Sequence, residues 1–373
     1  MQEAQRLGRL VENPIMPAFT RTRFTWFAYV FWMFFGFYVN VLGPLTPFLK
    51  DELKLSYTVS SLHFSAFAVG MLGAGLLLIG RSPVITIGAA FVMGLLGSLI
   101  IALLPSAFAD QYGAQSAVAP SEANVLASAM GALAPLWVGW SAQTWGGWRL
   151  PVGLMALLPL GIYARFRAVT FPSEKAPRPP RATTPLPAAF WWYWAALFIA
   201  VSIEFCMLPW SADYLEHTYA LRKTDAAQAL SLFLGGMIAG RWAGGRLAQR
   251  FAARPLVLAS LVLAACGFGL FWRSGLTGVA LGGLFLTGLG VASLFPLLMS
   301  LALQTTPNTV QASARATLAS GGAVLLLPLI LGRLADSMGI QLAYGMVAVL
   351  IVGALGIVLW AGRMERPNAP AIR

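Results

Sequence analysis

Residues 70–83 read GMLGAGLLLIGRSP. Two glycine-rich apolar pieces meet there, and a single arginine, Arg81, follows. The stretch has two readings. It is the middle of one ordinary membrane helix, or it is a junction where one helix runs into the end of another with the connecting loop missing. The choice sets how many times the chain crosses a bilayer.

The 373 residues are 58% hydrophobic and 10% charged, with a mean hydropathy of +0.74. Soluble domains carry about 25% charged residues, so this much apolar sequence identifies an all-α polytopic membrane protein. The net charge of +12 raises nucleic acid as a partner. The basic residues instead cluster as cytoplasmic segments of membrane proteins do. Arg6, Arg9, Arg21 and Arg23 precede the first apolar run, Arg165 to Arg181 fill a central polar segment, and Arg363, Arg366 and Arg373 close the chain. No nucleic-acid motif is present. The two cysteines, Cys206 and Cys266, lie in apolar runs without metal-ligand spacing. The N-terminus shows no cleavable leader pattern, so the first span is expected to be an uncleaved anchor.

A membrane helix needs about 20 mainly apolar residues. Such runs occur at 26–49, 56–80, 84–109, 121–145 and 147–168, then at 190–214, 225–248, 254–272, 276–304, 310–336 and 338–362. Between the two sets lies SEKAPRPPRATTPLP (173–187), a basic, proline-rich linker. The expected organisation is an N-terminal tail (1–25), a bundle (26–168), a linker (169–189), a six-helix bundle (190–362) and a tail (363–373). That is about 11 spans, five and then six.

The halves share a pattern. With a shift of 166, Trp26 meets Trp192, Leu49 meets Leu215, Ser65 meets Ser231, and Gly70-Met71 meets Gly236-Met237. Further along the shift is 192: Arg81-Ser82 meets Arg273-Ser274, and Leu126-Ala127-Ser128 meets Leu318-Ala319-Ser320. The jump of 26 residues falls between Gly75 and Arg81 and leaves Trp242 to Gly267 without a counterpart. This favours the junction; divergence of two ordinary halves is the alternative. Charge adds a conflict. A basic tail and a basic linker on one side of a membrane require an even number of spans between them, and five runs are present.

Two halves in parallel repeat, a basic central linker and GRWAGGRLAQR (240–250) resemble the major facilitator superfamily over essentially the whole chain. In that family the glycine- and arginine-rich loop between the second and third helices of each half engages partners at the cytoplasmic face. The resemblance gives Arg241, Arg246 and Arg250 that loop and gating role; the first-half copy is absent. The stretches IEFCMLPWSADYLEH (203–217) and LSLFLGGMIAGR (230–241) are similar to poorly characterised bacterial members near the sugar permeases.

The resemblance also implies a central cavity lined by the runs 26–49, 84–109, 190–214 and 276–304. A charge inside a span costs at least about 2.5 kcal/mol, so it faces a cavity or a partner. Glu204 lies well inside the run 190–214 and is the candidate for proton coupling or solute binding. Tyr38, which the shift of 166 places opposite Glu204, and Asn40 are candidates for the cavity wall. His63 titrates in the physiological range as a residue type, and Trp210 offers a stacking platform. Helix packing or an interfacial belt are the plainer roles for those two. Glu122 and Arg315 open equivalent helices and are candidates for cytoplasmic gate contacts, although a helix N-terminus favours an acidic residue by itself.

The resemblance thus implies a secondary transporter of a small solute, working by alternating access and driven by protons. It is expected to be a monomer in a bacterial inner membrane with both termini cytoplasmic, needing no cofactor and no metal. No phosphate-binding glycine loop supports ATP drive. A degenerate or truncated protein without transport activity is the alternative. An integral membrane enzyme is disfavoured, because His63 and His217 are the only histidines and no paired acidic motif is visible.

Overall fold

A helix rises 1.5 Å per residue, so a hydrocarbon core of about 30 Å takes about 20 apolar residues to cross. The computed structural model of the chain describes residues 20–60, 62–63, 82–88, 90–91, 108, 111, 118–144, 147–168 and 185–364. Among the described residues the regular structure is helical, with no strand, and eight helices are long and apolar enough to cross a membrane. The helices are α1 (Arg23–Leu53), α2 (Val118–Ser141), α3 (Arg149–Phe166), α4 (Ala188–Tyr219), α5 (Lys223–Leu247) and α6 (Ala253–Arg273). They continue as α7 (Thr277–Val291), α8 (Leu294–Gln304), α9 (Thr309–Met338), α10 (Ile340–Ala343) and α11 (Gly345–Met364).

Each apolar run from 26–49 and from 121 onward has a helical counterpart. The run at 276–304 is one span in length but two helices, α7 and α8, broken at Ala292 and Ser293. At that break the Ser293 hydroxyl donates to the Gly240 carbonyl at 3.0 Å. The run at 338–362 opens with the short α10 before α11 begins. Helix α5 has full length but is not among the eight, because Arg241, Arg246 and its glycines dilute its apolar character. Most of the runs at 56–80 and 84–109, and the junction reading of 70–83, lie outside the described residues.

Local signals fix the helix ends. Thr22 caps α1 in a reciprocal box with Thr25, which satisfies amides that the first turn leaves free. Lys54 ends α1 at φ 50°, and Ala220 ends α4 at φ 52°, both in the left-handed conformation that stops a helix.

Lipid supplies no hydrophobic drive between helices, so close packing needs small residues. Helix α1 lies on α2 through Gly36, where a Cβ would sit 2.2 Å from the Ala127 carbonyl oxygen. Helix α4 takes the same place in the second half, lying on α9, α11 and α8. Thus Ala127 and Ala319, paired by the internal repeat, both face inward against the leading helix of their half. Behind the second half, α7 wedges between α5 and α6. A Cβ at Gly236 would meet the Phe285 carbonyl at 2.2 Å, and one at Gly288 would meet the Phe233 carbonyl at 2.1 Å. Across the halves α2 packs on α5 and α1 packs on α4.

These approaches make the glycine pattern a stability requirement. Gly288→Val forces α5 and α7 apart and should cost about 1–3 kcal/mol, read as a lower melting temperature in detergent. Gly282→Val, one turn and a half away where a Cβ meets nothing within 4 Å, should melt like the parent. Equal melting of the two variants would contradict this packing.

Candidate solute cavity between the helix bundles

Helical spacing selects the residues that face the space between the halves. Helix α1 contributes Trp32, Phe35, Gly36, Val39 and Asn40, an i, i+3, i+4, i+7, i+8 stripe. Helix α2 adds Asn124 and Ser128, α4 adds Glu204 and Leu208, and α5 adds Leu234, Met237 and Arg241. Together they enclose a cavity of about 160 Å³. Its wall is a mixture of apolar side chains and a few polar groups, Asn40, Asn124, Ser128, Glu204 and Arg241, contributed by all four helices, the usual character of a small-molecule site.

Among the described residues the lining differs from the expected set at one run, while most of the run at 84–109 lies outside the described residues. None of the lining residues comes from 276–304. Helix α7 is held behind α5 by the glycine contacts described above and cannot reach the cavity. Among the described residues, the runs that line it are the first, the one at 121–145, and those at 190–214 and 225–248.

Glu204 and Arg241 are the two ionisable groups among the lining residues. Glu204 is 18% exposed at its side chain, and Arg241 is 47% exposed. The Arg241 Nη2 lies 3.6 Å from Glu204 Oε1, an ion pair too long to be a hydrogen bond. Arg241 Nη1 donates to Ser128 Oγ at 3.0 Å and so crosses from the second half to the first. Arg241 therefore belongs to the cavity, not to a cytoplasmic loop, because α5 continues as helix to Leu247. Arg246 and Arg250 lie beyond it and are exposed; Arg246 stacks on Trp242, with its guanidinium 3.8 Å from the ring centroid.

The other sequence candidates divide. Asn40 lines the cavity, donates to the Gly36 carbonyl at 2.8 Å, and sits over Gly131. Tyr38 does not face Glu204. Two residues along a helix turn a side chain through about 200°, and Tyr38 points into the first-half core, where its hydroxyl donates to the Val152 carbonyl at 3.2 Å. His63 is buried away from the cavity, with Nε2 2.9 Å from the Thr86 hydroxyl and Nδ1 3.0 Å from the Ser60 carbonyl. Trp210 is wholly buried and so is neither a cavity platform nor an interfacial belt residue; its indole N–H donates to the Pro328 carbonyl at 3.2 Å. Glu122 pairs with Arg21 at 2.6 Å and accepts from Tyr29, all within the first half. Arg315 is exposed, and its backbone carbonyl accepts the Trp194 indole N–H at 2.8 Å.

A second charged constellation was not anticipated. Where α1 ends and α4 ends, the halves are tied together. Lys50 forms an ion pair with Asp213, which is wholly buried, and lies 4.0 Å over the Tyr57 ring. Lys223 pairs with Asp51 and lies 3.7 Å from Glu216. Asp336, at the end of α9, accepts the amides of Tyr57 and Thr58 at 2.5 and 2.6 Å. It thereby caps, from the other half, the helical turn that starts at Tyr57. Just inside this layer, glycines bring the halves into backbone contact. A Cβ at Gly43 would meet the Leu208 carbonyl at 2.3 Å, and one at Gly139 would meet the Thr224 carbonyl at 2.7 Å. Asp213, Glu216 and His217 offer ligand atoms within 4.8 Å of one another. Lys50 and Lys223 already supply the positive charge there.

A sequence-family model described as the Major Facilitator Superfamily matches residues 64–324. A bacterial homologue of the human lysosomal transporter Spinster, in an inward-facing and occupied conformation, aligns with a TM-score of 0.73 at 14% identity, over 92% of this chain and 98% of that one. A variant of the nucleoside transporter NupG gives 0.71 at 11% identity, over 91% and 99%. The peptide transporter POT in complex with alafosfalin gives 0.65 at 17% identity, over 96% and 99%. At such identities the likeness is one of fold. No curated protein matches the chain by sequence.

The buried pair sets a test. Asp213→Asn leaves the Lys50 ammonium buried without its counter-charge and should cost about 3–5 kcal/mol, while Lys50→Met with Asp213→Leu should recover most of that loss. Melting of Asp213→Asn at the temperature of the parent would show that the pair does not hold the halves.

Proposed function

The chain belongs to the major facilitator superfamily, and from that premise we propose that it is a proton-coupled secondary transporter. It moves a small solute across a bacterial inner membrane by alternating access. Its similarity to solved transporters points to transport rather than to an enzyme. The observation that carries the reading is the placement of Glu204. A carboxylate in the middle of a span, poorly exposed and loosely paired, stands in a cavity between two halves. Such a group binds and releases a proton at low structural cost.

The two ends of the interface support alternation. At the Lys50 end the halves are joined by ion pairs and a cap in trans. At the opposite end Glu122 keeps its partners within the first half. With the basic N-terminal tail and linker in the cytoplasm, the Lys50 end faces outward and the structure is the inward-facing member of the cycle. The Spinster homologue was captured in an inward-facing conformation. The protein works as a single chain in the lipid bilayer, with the solute and protons as its partners.

A second reading, a transporter-like membrane protein without transport, is favoured by one observation. The basic tail and basic linker are separated by five apolar runs instead of an even number.

One experiment separates them. Proteoliposomes carrying an imposed pH gradient are incubated with a low-molecular-mass filtrate of cell extract, and the contents are read by mass spectrometry. The parent chain should concentrate at least one solute several-fold, up to about tenfold, for a gradient of one pH unit, and Glu204→Gln should only equilibrate it. Equal concentration by Glu204→Gln would remove the proton role. No concentration by a stably inserted parent would establish the second reading.

A further inference from the structure

The guanidinium of Arg241 carries five N–H donors in a rigid plane. In the cavity one of them reaches Ser128, and the approach to Glu204 is too long to engage another. The charge of Arg241 is therefore balanced while its hydrogen-bonding capacity is largely unspent. Nearly half of its side chain is exposed to the space enclosed by α1, α2, α4 and α5. Among the lining residues the cavity is neutral with Glu204 ionised and carries one positive charge once Glu204 is protonated. A planar fork with free donors is matched by a carboxylate or another planar oxyanion. The α1 wall brings the aromatic rings of Trp32 and Phe35 together with the amide of Asn40, which lies about two turns beyond Trp32.

We propose that Arg241 recognises the transported solute, and that this solute is an amphiphilic organic monoanion whose oxyanion replaces Glu204 as the partner of Arg241. The inference rests on the transport reading above. Protonation of Glu204 from the aqueous side frees Arg241, and the solute anion then restores neutrality. Proton and monoanion cross together with no net charge. A cationic solute is opposed by Arg241 in either state of Glu204, and a neutral one leaves Arg241 uncompensated when Glu204 is protonated. The acyl and aromatic body of the solute lies along the α1 stripe.

The test uses three probes of one shape: phenylacetate, phenylacetamide and phenethylammonium. Binding to the purified full chain is measured by equilibrium dialysis, with melting curves confirming that each variant is folded. Glu204→Gln mimics the protonated carboxyl and removes proton coupling, so the assay reads recognition alone. Phenylacetate should bind Glu204→Gln at least tenfold more tightly than either other probe, with little dependence on pH. Binding to the parent should tighten as pH falls. Arg241→Gln added to Glu204→Gln should weaken phenylacetate binding tenfold or more, while Arg241→Lys should keep part of it, the charge remaining and the fork lost. Equal or tighter binding of the amide or the amine to Glu204→Gln would overturn the assignment. So would the absence of saturable binding of all three probes to folded Glu204→Gln. A preference for the amine or the amide would leave the transport reading standing, whereas the failure of that reading shows in the pH-gradient experiment alone.

Discussion

Asp213 is wholly buried at the meeting of the two halves, and a carboxylate without water has to be met by a positive charge or by donors. Lys50 meets it, from the far end of the first long helix and 163 residues away in sequence. That one requirement fixes how α1 and α4 lie against each other. The remaining ties of the layer follow from it: Lys223 on Asp51, and Asp336 on the turn at Tyr57 and Thr58. Charge pairs of this kind add little net stability over a well-packed apolar contact. Their value lies in direction, since each end of a pair accepts only a complementary partner.

The layer explains where the cavity ends. Gly43 and Gly139 bring the backbones of the halves together beneath the charges. About one turn back along α1, at Asn40, and about three turns back along α2, at Ser128, the halves part around Glu204 and Arg241. Contacts within a half are of another kind. In the second half the packing of α5 on α7 depends on glycine against carbonyl, at Gly236 and Gly288, and is set by shape. A half can therefore move as a packed body, while the interface between halves can exchange one set of polar contacts for another. The Arg241–Ser128 bond, made across the halves beside a loosely held carboxylate, is the place where cavity contents and interface are physically connected.

Much of this was legible in the sequence. The apolar runs at 26–49 and from 121 onward found their helices, because span length is set by bilayer thickness and little else. Glu204 stood out as an acid inside an apolar run. Arg241 was misplaced because glycine and arginine in GRWAGGRLAQR read as a loop, whereas membrane helices tolerate glycine and α5 carries the pattern as helix to Leu247. Tyr38 was misassigned for a different reason. A repeat shift aligns positions along the chain and does not conserve the helical face, and only the stripe through Trp32, Phe35, Val39 and Asn40 could have excluded it. The charged layer was missed because its members sit at span ends, where charges are ordinary. A signal was available: lysine occurs only at positions 50, 54, 175 and 223, and two of those four join the layer.

The central claim is that the two ends of the interface open in turn. The most direct measurement is a pair of spin-label distances in a chain with Cys206 and Cys266 replaced by serine. One pair, Lys54→Cys with Ser337→Cys, reports on the charged layer. The other, Val125→Cys with Gln249→Cys, reports on the opposite end. All four positions are exposed. With Asp213 intact the first distance should be short and narrow and the second long. Adding Asp213→Asn should lengthen the first and shorten the second. Distances that stay fixed, or that grow together at both ends, would contradict an interface that alternates.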